Sequence, residues 1–177
     1  MTDLYQLKSP EDREALMNWW KGLGENRGAR AILRRASKPD DVLLTSAFSD
    51  FLKQMPDSWH NPGRLLDSAI VAAALSHVRE NDSALSFAQA LASPRGAATK
   101  AAMSELRFLQ LQKSRDPDEF YRRIHRAIAL LGGRVNVLSI ADGILHWMQE
   151  YRRIVDREPA KRLAVRWASD YYTTLKD

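Results

Sequence analysis

Residues 64–78 read RLLDSAIVAAALSHV and contain a dense run of leucine, isoleucine, valine and alanine. At about 100° per residue these side chains surround the helix axis instead of forming a single stripe. A helix of this kind has to be covered on more than one side. The stretch therefore predicts a buried helix against which other elements of the chain pack.

Start and stop signals predict further helices on both sides of this one. Ser9 and Pro10 indicate the start of the first helix, and Gly24 indicates its end. Further helices are expected at 26–38, from a cap at Asp40 or Asp41 through Met55, and at 83–93, 101–112, 117–131, about 136–157 and about 160–174.

No segment alternates apolar and polar residues as a strand does, and no internal repeat is present. The sequence therefore predicts an all-α fold, a compact bundle of roughly eight helices. With 45% hydrophobic residues, residues 1–177 are expected to form a single domain. If the chain forms two lobes, they meet near 80–96.

Side-chain burial is predicted from the same helical spacing. The helix at 101–112 is expected to bury Met103, Leu106 and Leu109. Five aromatic side chains are also expected in the core, namely Trp19, Trp20, Trp147, Trp167 and Phe108, whereas Trp59, in the loop at 56–63, is the exception.

Residues 26–41 read NRGARAILRRASKPDD and hold five arginine or lysine side chains before the first acid. On a helix these cations lie opposite the apolar Ala29, Ile32 and Leu33. Charged helix faces usually mix both signs, because like charges at i,i+4 repel. The face predicts either an anionic partner or an ordinary solvated surface.

A second basic face is expected on the helix after Asp116, opposite its apolar stripe, with no acid among Arg122, Arg123 and Arg126. Residues 95–166 hold 15 basic and 8 acidic side chains, so charge is segregated along the chain. Such surfaces could hold a phosphate backbone without reading its bases. The candidate nucleic-acid-binding residues are Arg27, Arg30, Arg34, Arg35, Lys38, Lys100, Arg107, Lys113, Arg115, Arg122, Arg123 and Arg126.

A third basic cluster, within 152–166, is interpreted differently. Glu150, Asp156 and Glu158 are interleaved with its arginines and lysines, a pattern typical of a solvated, paired surface.

No catalytic, cofactor-binding or metal-binding residues are predicted. The chain has no cysteine, its four histidines lack metal-ligand spacing, and no P-loop or serine elbow is present. Asp116 and Asp118 fit the start of a helix better than a magnesium site. The N-terminal residues lack the basic start and apolar run of a secretory signal, and no uninterrupted apolar stretch approaches the roughly 20 residues needed to cross a bilayer, which favours a cytoplasmic protein without a membrane segment.

Several separated blocks resemble the CasB family, the small subunit of the type I-E CRISPR Cascade complex. These blocks are GARAILRRASKPDD, SFAQALAS, SELRFLQLQKSRDPDEFYRRIHRAIALL and ILHWMQEYRRI, and the resemblance covers about residues 15–172. The loop at 57–63 and the segment at 80–84 depart from the family pattern.

The resemblance implies an all-helical, non-enzymatic subunit of an antiviral RNA-guided complex, present in two copies as a homodimer or a pair. The implied partners are CasA, CasC, CasD and CasE, the CRISPR RNA and target DNA. Basic surfaces of the family hold target DNA and the displaced strand of the R-loop, a role in keeping with the near balance between DNA duplex and RNA–DNA hybrid. The alternative is a helical adaptor whose basic faces contact acidic partner subunits, and a nuclease is disfavoured for lack of metal ligands.

Overall fold

The computed structural model describes residues 3–176 and confirms the all-α class. Within that range lie ten α-helices, and eight of them have eight or more residues. The helices are α1 Pro10–Leu23, α2 Arg27–Arg35, α3 Pro39–Leu43, α4 Ser46–Gln54, α5 Leu65–Leu75, α6 Phe87–Ala92, α7 Glu105–Gln112, α8 Pro117–Leu130, α9 Val137–Tyr151 and α10 Leu163–Thr174.

Helix α5 is the buried helix that its sequence predicts. Every residue from Asp67 to Ser76 is buried, and α2, α3, α8 and α9 all pack against this helix. Its one buried charge, Asp67, accepts a hydrogen bond from Arg152 at 2.6 Å and lies 3.5 Å from Arg64. The buried charge is thus paired, as stability requires.

Helix α9 is the other long buried element, and it anchors the segment before α1. The carboxylate of Asp142 accepts the backbone N–H groups of Tyr5, Gln6 and Leu7 and a hydrogen bond from Arg166. One buried carboxylate therefore holds the N-terminal segment, α9 and α10 together.

Gly143 on α9 is the contact point of α9 with α10. A Cβ atom at this position would lie 2.6 Å from Cζ2 of Trp167, closer than packed carbon atoms approach. The absence of a side chain lets the indole of Trp167 lie directly on the α9 backbone.

The third predicted helix is wrong as a single element. It is divided into α3, which starts at Pro39 after Lys38, and α4, which starts after Thr45. The Thr45 side chain accepts the N–H of Phe48 and so begins a new helix. Neither Asp40 nor Asp41 is the cap, since both lie in the first turn of α3.

Two burial expectations are also wrong. Leu106 is 66% exposed, because α7 buries Phe108 and Leu111 instead. Trp59 is buried, since its ring packs edge-on against Phe51 and its Nε1–H donates to Asp12 at 3.1 Å.

A two-residue parallel pairing joins the middle of the chain to the region after α8, although no strand is predicted. Strand β1, Glu80–Asn81, pairs with β2, Arg134–Val135. Gly132 and Gly133 precede β2 with φ of +64° and +79°, a conformation that favours glycine. The turn lets the chain leave α8 and lie beside the segment after α5.

Among residues 3–176, no helix combines the length and the apolar character that crossing a bilayer requires.

Candidate nucleic-acid interface

The first basic helix, α2, is fixed to the end of the buried helix α5. The Asn26 side chain caps α2 by accepting the N–H of Ala29. Arg30 then donates from Nε to the carbonyl oxygen of Ser76 at 3.0 Å and from Nη2 to that of Val78 at 3.2 Å. These carbonyls follow the C-terminal end of α5, where a cation is favourable. Arg30 therefore holds α2 in place instead of facing solvent.

Positive charge is concentrated around Arg30. Burial lowers the pKa of its guanidinium, and the neighbouring Arg34 and Arg79 lower it further. The two neighbours lie on different segments, so the folded chain brings together cations that are distant in sequence. A region of this kind attracts anions.

The second basic helix, α8, contacts the segment after α5 through a pair of stacked histidines. The rings of His77, after α5, and His125, on α8, are 3.8 Å apart at an angle of 24°. Beside them, the Tyr121 hydroxyl donates to the carbonyl oxygen of Ala36 just beyond α2. The end of α2 and the middle of α8 are therefore neighbours.

The histidine pair is kept neutral by its surroundings. Burial lowers the pKa of His77 to about 4, with further contributions from His125, Arg34 and Arg30. Burial and Arg34 also lower the pKa of His125. Arg34, exposed in the last turn of α2, thus contributes to lowering the pKa of both histidines.

Arg122 and Arg126 are exposed on α8, and both lie within one helical turn of His125. Neither forms a salt bridge with a carboxylate of residues 3–176, and the same is true of Arg34. Arg34, Arg122 and Arg126 are therefore free cations on adjoining helices.

A groove between α7 and α8 extends this surface on the other side of α8. Its volume is about 470 Å³, and the guanidinium-bearing side chains of Arg107, Arg123 and Arg126 line it above a floor that includes Leu111 and Leu130. Arg126 thus belongs to both the exposed pair on α8 and the groove. We call Arg34, Arg122, Arg126 and Arg107 the cationic strip.

The expectation that no acid accompanies the basic face of α8 is wrong for Arg123. Glu119, one turn earlier, pairs with Arg123 at 2.7 Å and with Arg115 at 3.3 Å, and it also accepts the backbone N–H of Arg115. These hydrogen bonds and charges lower the pKa of Glu119. Arg123 is only 27% exposed and also donates to the carbonyl oxygen of Gln110.

The remaining predicted residues are exposed, but they lie on separate parts of the surface. Arg27 and Arg35 lie on α2, and Lys38 follows it as the residue before Pro39, so Lys38 does not share the helical face predicted for it. Lys100 lies in the loop between α6 and α7, and Lys113 is the C-cap of α7. The cationic strip is thus smaller than the predicted set.

The third basic cluster is paired in part. Arg152 bonds Asp67, Lys161 bonds Glu158, and Arg166 bonds Asp142, so only Lys161 pairs with one of the interleaved acids. Within residues 3–176, Arg153, Arg157 and Arg162 form no salt bridge. Arg166 also donates to Nδ1 of the buried His146 at 2.8 Å. Burial lowers the pKa of His146 to about 4, with Arg166 adding to the effect and Asp142 opposing it.

Two features of the interface were missed from the sequence. The contact between His77 and His125 joins residues 48 positions apart, and no local pattern signals it. Glu119, in contrast, stands at i,i+4 spacing from both Arg115 and Arg123, so its pairing was visible in the sequence. In the part of the chain that the structure describes, no group of three or more metal-ligating side chains occurs.

Comparisons with known proteins identify the family of the chain. No curated protein matches the chain. A family model described as CRISPR-associated protein Cse2 matches residues 29–172, a range that runs from α2 into α10 and includes every helix of the cationic strip. The chain belongs to the Cse2 family, also called CasB, the small subunit of the type I-E Cascade complex of CRISPR defence.

Proposed function

We propose that the chain binds a single nucleic-acid strand by its phosphates, without sequence specificity, and so stabilises the R-loop and the displaced DNA strand in Cascade. The observation that carries this proposal is the contact of α8 with the end of α2, where the Tyr121 hydroxyl donates to the carbonyl oxygen of Ala36 beside the stacked pair His77 and His125. We infer that this contact brings Arg34, two residues before Ala36, near Arg122, the residue after Tyr121.

The chemistry of the cationic strip suits phosphate. Its four side chains are all arginines, whose planar guanidinium can bond two oxygens of one phosphate. None of the four is neutralised by a carboxylate in residues 3–176. A strand that follows the strip would replace condensed counterions at several phosphates, and their release favours binding.

The proposal extends to the complex in which the protein works. We propose a non-catalytic, cytoplasmic subunit that works in two copies with CasA, CasC, CasD, CasE, the CRISPR RNA and target DNA. Guide pairing supplies the specificity there, so a surface that ignores sequence is sufficient.

The test is the salt dependence of binding to single-stranded DNA of unrelated sequences. A triple variant, Arg34→Ala, Arg122→Ala and Arg126→Ala, should weaken binding and reduce the log–log salt slope by about 2, at about 0.7 per lost contact. Arg123 is left unchanged, because Glu119 already pairs with it.

A charge-matched control removes three exposed cations outside α2, α7 and α8, by Lys53→Ala, Arg157→Ala and Lys161→Ala. The control should keep the wild-type slope. Equal log–log salt slopes for the two triple variants would contradict the proposal. Crosslinks from the strip only to acidic protein subunits, inside assembled Cascade, would favour the adaptor alternative.

A further inference from the structure

Three aromatic rings form a parallel ladder that reaches the surface at the end of α9. Phe120 and Trp147 stack at 4.2 Å and 4°, and Trp147 and Tyr151 stack at 5.4 Å and 8°. Phe120 and Trp147 are buried, whereas Tyr151 is 42% exposed. The outermost ring therefore offers a flat surface, already fixed in orientation, to another flat ring.

The exposed end of this ladder opens into a pocket. The pocket lies between the end of α7, the end of α9 and the start of α10, and Tyr151, Trp147 and Trp167 contribute aromatic walls. Its volume is about 510 Å³, within the range of about 300–1,000 Å³ that is usual for small-ligand sites. The space is adequate for one nucleotide.

Polar groups in the wall lack a partner or are fixed in place. The Nε2 atom of Gln112 is buried and has no hydrogen-bond partner within residues 3–176. Oε1 of Glu150 accepts the N–H of Leu163 at 2.9 Å, which holds its carboxylate in the wall. An amide and a carboxylate complement the donors and acceptors on the edge of a nucleobase.

Two arginines lie at the rim. Arg115 has a side chain that is 87% exposed, although Glu119 offsets part of its charge. Arg153 follows α9 with φ of +68°, an uncommon conformation for a residue with a side chain, and forms no salt bridge in the described residues. Such backbone strain is often retained at binding sites.

The pocket adjoins the α7–α8 groove of the cationic strip. Arg123 lines the groove and donates a hydrogen bond to Oγ of Ser114, which lines the pocket. A strand lying in the groove could therefore reach the pocket along α7.

We propose that this pocket binds one unpaired nucleobase, which stacks on Tyr151 while the adjacent phosphate lies near Arg153. This inference rests on the proposed function, because the strand reaches the pocket from the cationic strip. Gln112 forms a hydrogen bond with the edge of the base. Part of the binding free energy therefore depends on the presence of a base, in addition to the phosphate contacts of the strip. Stacking on an aromatic ring tolerates every base, so no strict sequence preference results.

The test compares two probes, oligothymidine and an oligomer of equal length with abasic sugars, by fluorescence anisotropy. Tyr151→Ala should weaken oligothymidine binding roughly 5- to 100-fold, the range that loss of one stacked base implies. It should leave abasic binding unchanged. Tyr151→Phe keeps the ring and should bind as the wild type does, and Gln112→Ala should weaken only oligothymidine binding.

The outcomes separate the pocket from the strip. Equal oligothymidine affinity for Tyr151→Ala and the wild type overturns the pocket, while abasic binding that falls with salt still supports the strip. If the wild type does not bind the abasic probe, the strip is overturned. In that case, a loss of oligothymidine affinity in Tyr151→Ala would still support the pocket. No binding of either probe by the wild type overturns both. In assembled Cascade, a photocrosslinker at position 151 that captures a protein subunit, and no nucleic acid, overturns the pocket.

Discussion

The ring of His77 lies on the ring of His125 with 3.8 Å between their centroids, and this contact joins the end of the most buried helix to a basic helix on the surface. The pair lies among cations, because Arg30 and Arg34 both act on His77. Two histidines in this setting stay neutral, so they join α8 to the segment after α5 without adding to the positive charge around them.

We expect the stability of the protein to fall as pH decreases from about 6.5 to about 4. The pKa of His77 is about 4 in the fold, whereas an unperturbed histidine titrates near 6.5. The unfolded chain binds more protons in this window, so acid favours unfolding. Urea unfolding of His77→Phe, which keeps a ring for the stack, should show a shallower pH dependence than the wild type.

The control for this experiment is His60→Gln, which changes an exposed histidine outside the pair. Its pH dependence should match that of the wild type. A wild-type slope in His77→Phe would show that His77 is not the group that titrates, whatever the contribution of the buried His146.

Arg30 and Arg27 lie on the same helix but should respond differently to replacement by alanine. Arg30→Ala leaves the carbonyl oxygen of Ser76 without a donor, while that of Val78 keeps the Nε1–H of Trp20, and should lower the free energy of unfolding by about 1–3 kcal/mol. Arg27 is exposed, so Arg27→Ala should change it by less than about 0.5 kcal/mol. Chemical denaturation of both variants checks this, and equal losses would contradict the anchoring role of Arg30.

Removal of the Glu119 charge should strengthen strand binding and weaken the fold. Glu119→Gln frees Arg115 and Arg123, so we expect several times higher affinity for single-stranded DNA at low salt, with a gain that shrinks as salt rises. The half-buried Arg123 loses its ionic partner, at a cost of about 1–3 kcal/mol in the free energy of unfolding.

The matched control is Glu14→Gln on α1, an exposed change with the same effect on net charge. Anisotropy titrations at several salt concentrations compare the two variants. An equal gain in both would mean that overall charge, and not the release of Arg115 and Arg123, sets the affinity.

Two glycines in helices should give opposite results when replaced by alanine. At Gly143 the new methyl group meets Trp167 at 2.6 Å, so Gly143→Ala should destabilise the protein by about 1–3 kcal/mol through overpacking. At Gly22, in the last turn of α1, no atom lies within 4 Å of the new methyl group.

Gly22→Ala should therefore stabilise the protein by about 0.5–1 kcal/mol, the usual advantage of alanine in a helix. Thermal unfolding of both variants measures the difference. A neutral Gly143→Ala would indicate that α10 moves aside without cost, contrary to the close packing described for Trp167.

The sequence predicted the elements whose signals are local. Asp116 caps α8 and Pro117 is its first residue, as their spacing indicates. The buried α5 followed from its composition. Helices α3 and α4 were not separated because Asp40 and Asp41 offered a cap for one longer helix, although the cap at Thr45 was also readable.

The parts that could not be predicted depend on contacts between distant residues. Trp59 is buried because Asp12, 47 positions earlier, accepts its hydrogen bond. The cationic strip likewise needs the contact of His77 with His125, which only the folded chain creates. Helical spacing placed Arg30 on the cationic face of α2, but it could not tell that Arg30 turns inward to the end of α5.

Helix α5 has no residue from Asp67 to Ser76 turned towards solvent. A helix enclosed in this way cannot slide or rotate without disturbing the close-packed side chains around it. Both α2 and α8 rest on it, so the spacing of the backbone positions that carry their arginines is set when the chain folds. A polyanion would meet two helices of fixed separation, and only the exposed arginine side chains have to be ordered on association.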